Sequence, residues 1–511
     1  MALGQAQQST SAKRSHLHYC IAAALAAGSP VLACAGDVVN AAALVDSPLS
    51  QFTTKMTQRA SIGARPATRP ALATDIVVSS CNDDGGFDTL RHAVLVANEG
   101  DTINMSAIAC STITLQAPGA ITIGLNDLTI VGPGAGKLTI NGADAGRVFF
   151  HNGTGTLTLN SLTVAHGTIA ADKAYGGCIF SHGNVTLNNT TVTGCTAHGQ
   201  SLSVGGGLIA YGSLVAYASV LSGNVATTDV GVDPPGASAA AGAAFAVMDS
   251  RLVLSIVSGN SAHAPKGIVY GGGFVTTTGL TAKYSTVTGN QATGAGTAAT
   301  PSSGGGIVMP SYSSLFACTV DHNTADVAGG LLIRDNAAKT AAITQSTISS
   351  NTGTLGVGAL ESLGKVTITN STIAFNTSGP LATANVQFDS TAKVQGSIIA
   401  DNSPIDADGG GAITGTNSLI KLIGPNITLP MGTLRVDPNL GPLANNGGLT
   451  RTHALNNGSP AIGAGVASPV YPSDQRGTTY PRLVGSASDI GAYEVDTDHI
   501  FGTAFDYLYA F

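Results

Sequence analysis

Only 10% of the 511 residues are Asp, Glu, Lys or Arg, so ionisable groups that recur along a repeating chain stand out. Arg334 and Asp335 are adjacent, and Glu361 and Asp389 follow at intervals close to one repeat. Grouped carboxylates are what acid–base cleavage of a glycosidic bond needs, one protonated and one ionised. Strands stacked in a sheet lie about 4.8 Å apart, so groups on successive repeats would fall within one sugar unit. A mixed-charge cluster is equally an ordinary way to keep an exposed sheet face soluble, and that reading stands beside the catalytic one. Asp321 and His322 belong to another corner of the repeat. Asp406-Ala-Asp408-Gly-Gly resembles a fragment of a calcium loop but lacks the remaining oxygen ligands, which favours turn chemistry. The Gly clusters have no strand–loop–helix context with Lys-Ser/Thr, so they are not phosphate loops. HExxH and Gly-x-Ser-x-Gly patterns do not occur.

The elements that must position such groups are short strands. Gly contributes 66 residues and apolar residues 43%, enough for a large core with many tight turns. Formal net charge is -7, without a Lys/Arg run. That argues against nucleic acid, whose phosphates require clustered cations.

From about residue 146 the chain repeats. A β-branched residue or Leu precedes Asn by three positions at Asn224, Asn260, Asn290, Asn323, Asn351, Asn376 and Asn402, and Cys195 takes the Asn place in Val192-Thr-Gly-Cys195. The steps fall in the range of solenoid repeats. Gly clusters open the coils at Gly176-Gly177, Gly205–Gly207, Gly271–Gly273, Gly304–Gly306 and Gly329-Gly330. Asn tolerates left-handed backbone at the corners, stacked Asn amides can form a ladder, and Gly supplies positive φ. Hairpin signals are sparse and no four-strand blade period appears, which argues against a sandwich or propeller. The expected fold is all-β: a right-handed parallel β-helix. The segments after the Asn vary, longest at Val225–Ala240, Ser261–Tyr270 and Gln291–Ser303. They fall at one corner and should stack into a wall, as a binding face or as decoration. After each Gly cluster, Phe180, Ile209, Val275 and Val308 are expected to face outward, beside His182, Tyr211, Thr277 and Pro310.

A short helix precedes the coils, with Asp88 as its expected N-cap and Leu90, Ala93, Val94 and Ala97 on one apolar face. It should cap the open end of the stack. Residues 1–35 read as an export signal: Lys13 and Arg14, an apolar run from Tyr19 to Leu32, then Ala33-Cys34-Ala35. Residues 36–75 read as a flexible linker. No apolar run of membrane-spanning length occurs after the signal. Export permits disulfides, and the economical pairings are Cys81–Cys110 and Cys178–Cys195, with Cys318 left as a buried hydrophobe.

Near the C-terminus, Asp437-Pro-Asn-Leu-Gly-Pro-Leu-Ala-Asn-Asn-Gly-Gly-Leu-Thr-Arg-Thr-His453, Gly458-Ser-Pro-Ala-Ile-Gly-Ala-Gly465, Asp474-Gln-Arg-Gly477 and Asp489-Ile-Gly-Ala-Tyr-Glu494 resemble the choice-of-anchor Q domain, over roughly residues 410–496. Cys81, Asp88-Thr-Leu-Arg91, Ala97-Asn98, Gly100-Asp-Thr-Ile103 and Cys110-Ser-Thr-Ile-Thr-Leu115 resemble the leading segment of such proteins. The resemblance implies a pectin-lyase-like right-handed β-helix, a C-terminal segment that closes it, and an exported or cell-surface location; it implies no reaction. Enzymes of that fold attack acidic polysaccharides in a groove along one sheet. Lyases among them use an Arg or Lys base with calcium-binding carboxylates, and hydrolases use grouped Asp residues. By that likeness Arg334, Asp335, Glu361 and Asp389 are the candidate catalytic set. Asp474, Arg476 and Glu494 read as a structural ion-pair group. Residues 497–511 form a tail with alternating aromatics that reads as a final edge strand, since a single strand makes no barrel.

The organisation expected is a signal (1–35), linker (36–75), cap and first coils (76–145), β-helix repeats (146–409), closing segment (410–496) and tail (497–511). The first functional reading is a secreted or cell-surface interaction module, monomeric, with an extracellular polysaccharide or cell-surface ligand as partner. The alternative is a lyase or hydrolase of an acidic polysaccharide. No cofactor is evident, and calcium enters only with a lyase.

Overall fold

The computed structural model describes residues 74–116, 119–229, 238–297, 301–335, 339–467 and 469–496. The expected signal, most of the linker and the C-terminal tail lie outside these residues. Three long parallel sheets wind around one axis: sheet A of 13 strands, sheet B of 12 and sheet C of 11. Within each, every strand pairs in parallel with the equivalent strand one coil away, so the chain is a parallel β-helix. One coil runs Leu214–Tyr217 in sheet A, Val220–Ser222 in sheet B, Val225–Thr228 and Ser238–Ala240 in the wall, Ala244–Ala246 in sheet C, then Ser250–Val253 in sheet A again. Alternating residues point inward, and these form one apolar core from Val78 to Ile427.

Each coil turns on single left-handed residues. Between sheets A and B these are Ala218, Leu254, Tyr284, Ala317 and their equivalents; before sheet C they include Gly176, Gly205, Ala241, Gly271, Gly304 and Ala328. At the corner after sheet B the left-handed residue is the one before the Asn, not the Asn itself: Gly194, Gly223, Gly259 and Gly289, then His322, Ser350, Phe375 and Asp401. The space beside Gly223 and Gly259 is open, so larger residues there meet only the backbone cost of left-handed geometry. The Gly clusters combine two demands. Gly205 has φ +68°, whereas a Cβ on Gly206 would lie 2.3 Å from the Val225 carbonyl carbon. Gly205 meets both demands, since a Cβ on it would lie 2.2 Å from the Leu208 carbonyl oxygen, although Ala241 and Ala328 adopt the same left-handed backbone at this corner.

The Asn side chains point into the stack instead. Asn224, Asn260, Asn290, Asn323, Asn351 and Asn376 each donate an amide N–H to the side-chain oxygen of the next, at 2.8–2.9 Å. Asn402 donates in the same way to Asp406, at 2.8 Å. The last member only has to accept, and a carboxylate fits that place. Its second oxygen accepts the Leu422 N–H, so Asp406 ends the ladder. A serine column runs along the A–B corner: Ser219 N–H bonds Ser255, Ser255 bonds Ser285, and Ser346, Ser371 and Ser397 continue it. Cys318 occupies one place in that column, where burial pushes its thiol up to about 12.

The helix, α1 (Leu90–Val96), buries Leu90, Ala93 and Val94 against the first coils. Its N-cap is Thr89, not Asp88: the buried Thr89 hydroxyl accepts from His92 N–H and donates to the Gly86 carbonyl. Cys81–Cys110 and Cys178–Cys195 are disulfide-bonded. At the far end, Ile423, Ile427 and Leu429 pack on the core. The chain beyond them runs back along the outer face of sheet B. Thr319 donates to the Arg451 carbonyl, Thr347 to Gln475 and the Ala492 N–H to Thr372, on three successive coils. Leu455, Ala461 and Ile490 bury Ile398, Ala400 and Leu419. Arg476 donates Nε–H and an Nη2–H to one carboxylate oxygen of Asp474 and lies 3.9 Å from the rings of both Tyr480 and Tyr493. Glu494, pushed up to about 7 by burial, accepts backbone N–H groups and faces Arg482 at 4.0 Å.

Candidate functional site on the outer face of sheet C

The insertions do stack into a wall, and the wall begins earlier than the longest ones. Thr168–Tyr175 and Thr196–Val204 pair in parallel, and Thr196–Val204 continues into both outgoing strands such as Val225–Thr228 and incoming strands such as Ser238–Ala240 and Ile268–Tyr270. Ala226, Ala239, Ala262 and Ala292 fill the narrow space between the two arms.

This wall changes the character of the face expected to be open. Phe180, Ile209, Phe245, Val275, Val308 and Leu332 form one column pointing away from the main core, yet all are buried. Leu202, Val204, Ala240 and Tyr270 of the wall cover them, making a second apolar core outside the β-helix. The residue types were legible in the sequence, but their exposure was not. A long groove is thereby filled with protein along its middle, and polar or partly open side chains remain at its two ends.

At the C-terminal end the column changes from Leu332 to Glu361 and then Gln387. Glu361 is 5% exposed. Burial first, and the Asp389 carboxylate second, push its pKa up to about 8. Gln387 donates to Asp389 at 2.9 Å and accepts from Thr383 at 2.9 Å, which fixes its amide. A carboxyl that keeps its proton at neutral pH beside a second carboxylate has the form of an acid–base pair. Arg334 stands two places along the strand from Glu361 and pairs across from Pro310, and its titratable neighbour is the Tyr270 phenol. Burial lowers Arg334 and pushes Tyr270 up to about 12. Asp335 is exposed. The expected four-residue set therefore divides into a carboxyl pair, a cation beside a phenol, and a solvated carboxylate. Asp408, the next residue in the column, bonds Asn426 through both oxygens. Among the described residues no group of three His, Cys, Asp or Glu side chains is placed to hold a metal ion.

The N-terminal end is aromatic, and sequence reasoning missed its organisation. Phe150, Phe180 and Tyr211 lie on three successive coils, with His182 beside them. Ring centroids are 5.1 Å apart for Phe150–Phe180, 4.8 Å for Phe180–His182 and 5.2 Å for Phe180–Tyr211. Phe150, His182 and Tyr211 are partly exposed. Arg147 lies over both Phe rings at 5.4 and 5.3 Å and donates to the carbonyls of Tyr175 and Gly176. Burial lowers its pKa to about 10. The available signal was the spacing of Phe150 and Phe180, one coil apart.

No family model matches the chain, and no curated protein matches it. Among solved structures, the crystal structure of pectate lyase Pel9A is similar at 16% identity, with a TM-score of 0.41, over 83% of this chain and 97% of that one.

Proposed function

We propose that this chain is an exported or cell-surface interaction module, in which the β-helix is a stiff scaffold and the aromatic end of sheet C is a glycan contact. One observation carries this reading: the wall buries the middle of the outer face of sheet C and leaves Phe150, His182 and Tyr211 partly open as a connected aromatic surface. Flat rings present the apolar faces that sugars stack on, while Tyr and His add hydrogen-bonding tips. In a chain without Trp, such a grouping is a concentrated use of aromatic surface. Two disulfides suit an oxidising compartment, in keeping with the export signal read at residues 1–35 and the choice-of-anchor Q-like segment at residues 410–496. Among the described residues no helix is long and apolar enough to cross a membrane.

A second reading, polysaccharide cleavage at the other end, rests on Glu361 and Asp389. Glu361 would donate a proton to a leaving oxygen and Asp389 would act as the ionised partner. One experiment separates the readings. The protein is incubated with uronic-acid polymers and neutral glycans, with and without calcium, while unsaturated products, reducing ends and bound glycan are followed together. Binding to a neutral glycan without turnover, weakened at least tenfold by Tyr211→Ala, is expected. Product formation abolished by Glu361→Gln would replace the first reading with the second.

A further inference from the structure

Among the described residues, the C-terminal segment covers only part of sheet B. On the covered coils it meets two outward columns, Thr319, Thr347, Thr372 and Ile398 in one and Asp321, Ser349, Ala374 and Ala400 in the other. All eight are buried. The same columns run on without a break toward the N-terminus as Thr286, Ile256, Val220 and Thr191, with Thr288, Ser258, Ser222 and Thr193. These eight are partly or fully exposed, with Ile256 at 42%. The boundary is bridged by rings: Tyr471 of the C-terminal segment packs on Phe316, and Phe316 packs on Tyr284, each at 5.7 Å. Beyond Tyr284 the edge of the face continues with Leu254 at the next left-handed corner and with Tyr217, 49% exposed.

We infer that this uncovered stretch of sheet B docks a second copy of the chain, face to face, as the continuation of the interface that the C-terminal segment makes in the same molecule. Three observations favour that occupant. The columns carry the same kinds of side chain that the chain already buries against itself, Thr and Ser hydroxyls beside β-branched methyls. No outward place of sheet B on these four coils is charged, so the face offers nothing to select an acidic or basic partner, and two identical copies meet without like-charge repulsion at the centre. An isologous contact also needs only one self-complementary patch, and Ser222 bonding Thr193 at 3.1 Å shows these hydroxyls pairing with one another. Lys283 and Arg251 are exposed at the rim, on sheet A, where charges set register more than affinity. Four coils span only about 19 Å along the axis, so the contact is small and its association depends on concentration.

Sedimentation velocity on the purified full chain across the micromolar range tests this. The wild type is expected to pass from monomer to dimer. Ile256→Lys, which sets two cations against each other across the two-fold contact, is expected to weaken association at least tenfold. Circular dichroism and thermal midpoint should stay unchanged, because Ile256 points away from the core. Ser222→Cys should give a disulfide-linked dimer under mild oxidation. A wild type that stays monomeric at every concentration overturns the inference, as does Ile256→Lys associating as well as the wild type.

Discussion

At the residue scale, a single change of side chain in a column alters the chemistry of its surroundings. Glu361 stands where coil after coil carries a hydrophobic residue, and it takes on their burial. A carboxyl whose folded pKa is about 8, against an ordinary 4.5, binds its proton more tightly in the folded chain than in the unfolded one. Between those values the unfolded state has released the proton and the folded state retains it, so this group's contribution to stability falls as pH rises from about 4.5 to about 8 and then levels off. Glu361→Gln keeps the shape and removes the titration. The variant's thermal midpoint is expected to exceed the wild type's by several degrees at pH 9 and to differ little at pH 5. Equal pH profiles for the two proteins would show that Glu361 is solvated.

The Asn column makes the opposite point at the same scale. Its period was plain in the sequence because every coil repeats one geometric demand. Which residue of the corner bears the left-handed backbone was not plain, because Gly-Asn and His-Asn satisfy the same geometry. Only the ladder shows that Asn is retained for its amide. Asp406 was read as turn chemistry or a calcium fragment, and its place as the ladder's terminal acceptor depends on coils meeting in space.

At the element scale, the C-terminal segment is held to sheet B by polar groups that must all be matched. Gln475 is fully buried; its amide donates to Thr450, Arg451 and Thr319, and its oxygen accepts from Thr347. Gln475→Ala leaves these buried hydroxyls and a carbonyl short of partners, at a cost of about 1–3 kcal/mol. The expected outcome is faster proteolytic release of residues beyond about 430, with the β-sheet circular dichroism signal preserved. Simultaneous loss of the β-sheet signal would mean that the segment is integral to the stack. A C-terminal closing segment could be anticipated from its resemblance, but its route back over sheet B could not. Thr319, Thr347 and Thr372 look like any outward Thr until a distant strand lies on them.

At the scale of the whole molecule, coverage is uneven. Each coil contacts only its neighbours, so stability is close to a sum of local terms. Around Val320 and Ile348 the β-helix is enclosed twice, by the wall and second apolar core outside sheet C and by the C-terminal segment outside sheet B. Among the described residues, the first coils, around Ile113 and Ile140, have neither cover on those strands. Amide hydrogen exchange is therefore expected to be slowest at Val320 and Ile348 and markedly faster at Ile113 and Ile140. Uniform protection along the axis would indicate one cooperative unit.

The sequence by itself determined the parallel β-helix, its coil length, its corner positions and the place of the wall, because these follow from short-range rules repeated many times: alternation in strands, single left-handed residues at corners and a fixed period between Asn residues. It also put Cys178 near Cys195, where the second disulfide forms. Tertiary structure decided what each face is for. Phe180, Ile209 and Val275 were correctly read as pointing out of the coil, yet they are interior residues because strands from the wall return over them. Arg334 and Glu361 lie on stacked coils, but Leu332, not Arg334, pairs with Glu361, so their places differ by two residues along the strand. Exposure and register depend on chain segments that meet only after the coils have stacked, and no local pattern encodes them.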